Sequence, residues 1–149
     1  MPRRALAALV LAIALPGCGE ENRPLPDACT AGVRSVIQAL AAAPRAVRLP
    51  DGTRLSTCVE RARSDAEIQN LGAIYTRAAD ELAGAMNSSD RAALQLGYLV
   101  AATRDGARGT SGIHEELARR VEQSIGLGGA PPHRRAAFHR GEAAGERSG

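Results

Sequence analysis

Lysine and tryptophan are absent from this 149-residue chain, and its aromatic side chains amount to one Phe and two Tyr. Without bulky rings, a core has to be assembled from Leu, Ile, Val and abundant Ala. That mixture suits closely packed helices better than a sheet, because Ala leads the helix scale and aromatic residues favour strands. All 19 basic residues are therefore Arg, and the formal net charge is +3. That excess would suit a polyanion if it were concentrated, but residues 27–127 hold 12 Arg against 12 Asp plus Glu. The surplus lies in Arg3 and Arg4 and in the tail from residue 128, which carries 4 Arg and 2 Glu. A basic groove for nucleic acid is thereby excluded from the expectations.

Long apolar runs are scarce as well. The longest uninterrupted one covers residues 5–15, well short of the ~20 residues that span a bilayer. It follows Arg3 and Arg4, the layout of an export signal with a cationic start and an apolar centre. Two processing sites compete. Ala12-Ile13-Ala14 fits ordinary signal peptidase and would release a soluble, secreted chain from Leu15. Leu15-Pro16-Gly17-Cys18 resembles the lipobox of bacterial lipoproteins, and that resemblance implies lipidation of Cys18 by diacylglycerol and palmitate-type acyl chains. It covers only the first 18 residues.

Cysteine is sparse too, with three residues. Soluble export would leave an odd thiol in an oxidising compartment, whereas lipidation consumes Cys18 and leaves Cys29 and Cys58 as one pair. The expected address is the extracytoplasmic face of the cell membrane, lipid-anchored. The expected organisation is a signal peptide at 1–17, a tether at 18–26, a helical domain at 27–127 and a disordered tail at 128–149.

Periodicity organises the body. Asp27 is placed to cap a helix with Cys29, Val33, Val36, Ile37 and Leu40 on one face, stopped by Pro44. Pro50-Asp51-Gly52 is turn chemistry, inside either a small hairpin or an ordered loop. Thr57 with Glu60 and Ser64 with Glu67 both match the capping box, so the second helix starts near Thr57 and restarts at Ser64. Its stripe is Ile68, Leu71, Tyr75, Ala78, Leu82 and Ala85. Asn87-Ser88-Ser89 reads as a turn and cap rather than a glycosylation site. The next helix, 90–104, is apolar around most of its circumference and is expected to be the most buried. Gly106 and Gly109 break it. Thr110 or Ser111 then caps a last helix carrying Ile113, Leu117, Val121 and Ile125. The fold class expected is all-α, a four-helix bundle-like domain with one disulfide.

That disulfide would bring the starts of the first two helices to within about 4.4–6.8 Å and so to one end of the domain. Gly72 and Gly97 interrupt helices at a cost of up to ~1 kcal/mol each relative to Ala. Close backbone approach at a crossing explains them, with a ligand pocket as the sharper alternative.

Catalytic chemistry has few candidates. His114-Glu115-Glu116 lacks the second histidine of an HExxH zinc site, and Glu115/Arg119 and Glu116/Arg120 sit at ion-pair spacing on what reads as a solvated face. His133 and His139 fall in the tail. Ser and Thr cluster at helix starts, no nucleophile elbow occurs, and "LGLGGAPP" opens no helix that would cradle phosphate. Asp80-Glu81 lies beside Arg77, and Tyr75 and Tyr98 read as core residues. The tail segment "HRRAAFHR" offers Arg134, Arg135 and Arg140 with Phe138 as a wedge for an anionic surface, against the plainer reading of a solvated basic tail. The sequence thus leads to an envelope module that is not an enzyme and has no cofactor, metal site or nucleic-acid partner. It would bind an envelope protein or polymer. The alternative is a small-ligand carrier with a cavity inside the bundle.

Overall fold

A computed structural model describes residues 23–149 except Ser111. The expected leader, the lipobox-like segment and Cys18 lie outside the described residues, as does Ser111 as a cap. Among the described residues the structure is helical, without strands: a 3-10 turn at Asp27–Thr30, then α1 (Val33–Leu40), α2 (Leu55–Arg61), α3 (Asp65–Met86), α4 (Asp90–Ala107), α5 (Gly112–Gln123), a second 3-10 turn at Leu127–Gly129, and α6 (Pro132–Ser148).

The first expected helix is split. Gly32 adopts φ 98°, a left-handed conformation open to glycine, and divides the Asp27–Thr30 turn from α1. Asp27 makes no side-chain cap; the turn starts behind Pro26. Cys29, Val36 and Leu40 nevertheless reach the core, with Val33 and Ile37 packed at its edge. Residues 49–53 form an ordered loop, closed by Gly52 N–H donating to Leu49 O (2.8 Å) and Thr53 N–H donating to Asp51 Oδ1 (2.9 Å). The Asp51 carboxyl is held below its usual range by that bond to Thr53.

Of the two capping boxes, one forms. Ser64 Oγ accepts from Glu67 N–H, while Glu67 accepts from Ser64 N–H (2.9 Å) and Arg63 N–H (3.0 Å). Those donors hold the Glu67 carboxyl below its usual value. Thr57 instead lies inside α2, which begins at Leu55. The core needs Leu55 at 0% exposure, and burying that side chain pulls the helix start back by two residues. In α3 the stripe continues through Met86 rather than Ala85, which is exposed, and Ile74 broadens it. Ser89 caps α4 by accepting from Ala92 N–H (3.2 Å).

Helix α4 is the hub. It is buried almost from end to end and packs against α2, α3, α5 and, most extensively, α6. It also runs through Gly106, where a break was expected. A Cβ at Gly106 would lie 2.3 Å from Ser56 O, so this glycine lets α2 touch α4 rather than ending the helix.

The disordered tail is the main correction. Residues 132–148 form α6, started by Pro132 at the first helical position, where the missing N–H costs nothing. Ala137, Gly141, Gly145 and Gly149 recur every four residues, and a Cβ on Gly141 would stand 1.9 Å from Leu94 O. From the other side, a Cβ on Gly97 would stand 2.1 Å from Phe138 O. The two backbones are in direct contact. What α6 buries is main chain, small residues and Phe138, so its sequence shows no stripe of large apolar side chains.

Cys29 and Cys58 are bonded, with Cα atoms 5.5 Å apart, tying the first 3-10 turn to α2. Both cysteines are fully buried.

Candidate functional site

The polar tips of the two tyrosines are committed to the fold. Tyr75, wholly buried on α3, donates its hydroxyl to Leu55 O at the start of α2 (3.0 Å), and burial pushes its ionisation far upward. Tyr98 Oη accepts from Val47 N–H (3.0 Å) and bonds Ser148 Oγ (3.1 Å), fastening the long loop and the end of α6 to α4. Neither faces a substrate space.

His114 is not on a solvated face. It is 7% exposed, and its Nε2 bonds Ala62 O (2.7 Å), the carbonyl that caps α2. The inward face of α5 is His114, Leu117, Ala118 and Val121, and Ile113, expected inside, is 41% exposed. Leu117 and Val121 face inward as expected, and His114 takes the inward place expected of Ile113. The acids beside His114 point away from it: Glu116 receives Arg119 Nε (2.7 Å) and Arg120 Nε (2.9 Å). Those two guanidinium groups lower the Glu116 carboxyl to about 2. The expected Glu116/Arg120 pair forms, whereas Arg119 turns to Glu116 instead of Glu115. Among the described residues no three His, Cys, Asp or Glu side chains come together in a metal-binding group.

In the tail, the wedge is absent. Phe138 is 1% exposed against α4, and Arg134 is drawn to Asn87 O and Asp90. His133 lies 3.5 Å from Asp90, and His139 bonds Glu142 (2.8 Å). Arg104 on α4 joins Glu122 of α5 (2.5 Å) to Glu142 of α6 (3.0 Å), a three-helix clasp.

A groove of about 840 Å3 lies between α3 and α5. Gln69, Gly72, Ala73, Thr76, Arg77 and Asp80 follow the 3.6-residue period along one side of α3 and form its floor and wall. Arg120, Gln123 and Ser124 close the α5 side, where Ser124 Oγ donates to Asp80 Oδ1 (2.5 Å). The two helical glycines now separate in purpose. Gly97 is a backbone contact, whereas a Cβ at Gly72 would meet only the Leu117 side chain at 3.7 Å, an ordinary distance. Gly72 therefore keeps the groove floor low without being required by packing. Arg77 is exposed and has no ion pair among the described residues, and Arg120 shares Glu116 with Arg119. The groove can hold hydrogen-bond acceptors and carboxylates. It has no histidine or cysteine, and its one carboxylate is bonded to Ser124. The close backbone approach expected at Gly72 is absent, and the groove beside it is open at the surface rather than enclosed in the bundle; its depth depends on how α5 sets against α3, which periodicity does not encode. No family model, curated protein or solved structure matches the chain.

Proposed function

We propose that this chain is an exported envelope lipoprotein, anchored through Cys18, that acts by binding rather than by catalysis. The observation that carries the reading is the buried bond between Cys29 and Cys58. Disulfides of this kind belong to oxidising compartments, and with two of three sulfurs paired Cys18 is left for the acyl chain that its lipobox-like setting implies. The binding surface we assign is the α3–α5 groove, with Arg77, Gln69, Thr76 and Gln123 as polar contacts. A partner bearing carboxylates suits it. Ile113 is the sole large apolar side chain classed as exposed among the described residues, so a broad greasy interface has no support.

A photo-reactive residue at Ala73, in the native membrane fraction, tests both halves. Mass spectrometry of the purified protein should find diacylglycerol on residue 18 and two thiols that alkylate only after reduction. A covalent adduct should form from Ala73 and not from Glu81 outside the groove. An intact leader with three free thiols would end the lipoprotein reading. Equal adducts at both positions would end the groove.

A further inference from the structure

In the tail only Arg134 reaches back to Asn87 O and Asp90, and a second group of arginines gathers around α2. Two adjoining recesses flank α2. Arg48, Arg54 and Arg61 line one, beside Asp51. Arg23, Arg54, Arg61 and Arg63 line the other, beside Glu60. Arg48, Arg54, Arg61 and Arg63 thus share one face with Asp51 and Glu60, and Arg23 stands at its edge. The guanidinium groups of Arg54, Arg61 and Arg63 have no ion pair among the described residues. Of the neighbouring carboxylates, Asp51 accepts from Thr53 N–H and Glu67 from Arg63 N–H and Ser64 N–H, while Glu60 lines the recess itself.

The position of this face is its second notable property. Arg23, the first described residue, lines it, and Cys18 lies five residues earlier in the chain. Five residues reach at most about 18 Å even when fully extended. An acyl chain on Cys18 would therefore hold this face within reach of the lipid headgroups.

We infer that the arginine face around α2 is a membrane-docking surface that seats the domain on anionic phospholipid headgroups. The orientation rests on the lipid anchor of the proposed function; the affinity of the face for phosphate-bearing headgroups does not. Basic side chains near an anionic bilayer each strengthen binding roughly fivefold, and the effect falls away within a Debye length. A basic patch adds a second, orienting attraction to a lipid anchor. Docking by this face would leave the α3–α5 groove, which shares no lining residue with it, to meet a partner.

The test uses the mature chain from residue 18 with Cys18→Ser, so that no acyl chain contributes. Sedimentation with vesicles of phosphatidylcholine alone is compared with vesicles containing one third phosphatidylglycerol. Binding should require phosphatidylglycerol and weaken as salt rises. The triple variant Arg54→Gln, Arg61→Gln, Arg63→Gln should lose on the order of a hundredfold in affinity. A second triple, Arg34→Gln, Arg135→Gln, Arg140→Gln, removes the same charge outside the two recesses and should retain most of the binding. Equal weakening by both triples, equal binding to the two vesicle types, or binding captured by free inorganic phosphate at low concentration would each overturn the proposal. Acylation of residue 18 is read separately from the mass of the native protein, so the anchor and the docking face fail independently.

Discussion

Replacing Gly141 by Ala tests the least expected part of the fold, the docking of α6 on α4. In an isolated helix the change is favourable, by up to about 1 kcal/mol. Here the new methyl would begin 1.9 Å from Leu94 O, 2.8 Å from Leu94 C and 2.9 Å from Tyr98 N. All three are main-chain atoms, so no side chain can swing aside. Restoring an ordinary contact requires the helices to separate by roughly 1.5 Å, and gaps of 0.5–1 Å already forfeit a quarter to a half of each dispersion contact. The separation would be felt by Ala137, Phe138 and Ala144, each at most 1% exposed against the core. Overpacking of this kind costs typically ~1–3 kcal/mol, and a clash with backbone belongs at the top of that range. Subtracting the helical gain leaves a loss of about 2 kcal/mol. With a urea slope of ~2 kcal/mol/M, the midpoint followed by circular dichroism should fall by about 1 M. Gly72→Ala is the counterpart: its methyl meets only Leu117 at 3.7 Å. The helical gain should then stand alone and raise the midpoint by about 0.5 M. Opposite signs for one chemical change at two helical glycines follow from backbone contact at one and its absence at the other. A Gly141→Ala protein as stable as the parent would refute the docking of α6 as described.

Reducing the disulfide, or replacing both Cys29 and Cys58 by Ala, frees a loop with a sequence separation of 29. The chain-entropy relation puts that loss at about 3–4 kcal/mol, measurable as the difference between urea curves with and without reductant. Tyr75 should make the protein sensitive to alkali: its folded-state ionisation is raised by burial, so stability falls with pH above about 10, where the unfolded tyrosine ionises and the folded one does not. Tyr75→Phe should flatten that fall by up to ~1.4 kcal/mol per pH unit, at the cost of the bond to Leu55 O, about 1 kcal/mol at neutral pH. Glu116 behaves in the opposite sense, because its carboxyl is depressed to about 2 by Arg119 and Arg120. Its favourable contribution is complete above about 4.5 and is lost as pH falls through about 2, which carboxyl-detected NMR titration should follow. His114→Leu leaves Ala62 O without its buried partner and should cost about 1–3 kcal/mol, whereas Ile113→Ser on the exposed side of α5 should change stability by less than about 0.5 kcal/mol.

The parts of the fold that were legible in the sequence are those held by large apolar side chains and by local caps. The stripe from Ile68 to Leu82, the Ser64 box, the Ser89 cap and the central burial of α4 all follow from interactions within a few residues. Boundaries moved where tertiary burial outweighed local signals: Leu55 drew α2 back past Thr57, and Gly106 became a contact with α2 instead of a terminus. On α5, His114 faces inward in place of Ile113. Of Ile113, Leu117, Val121 and Ile125, spaced four apart, only the first turns outward. The Ala62 carbonyl at the end of α2, which pairs with His114, is 52 residues distant in the chain and left no local trace.

The tail shows why the helical register of small residues is easy to overlook. Hydrophobic periodicity looks for side chains that gain by leaving water, and α6 has one such large side chain, Phe138. Its gain comes from main-chain proximity, for which the signal is a missing Cβ at every fourth position. Gly141, Gly145 and Gly149 cost helix propensity individually, up to about 1 kcal/mol at each interior position, so their recurrence only makes sense against a partner that needs the space. That partner is α4, where Gly97 and Ala101 supply the reciprocal clearance. Gly72 is the opposite kind of glycine. No backbone requires its missing Cβ, only the Leu117 side chain lies within 4 Å of it, and it lines the polar groove between α3 and α5, so an Ala there should be tolerated where one at Gly141 is not.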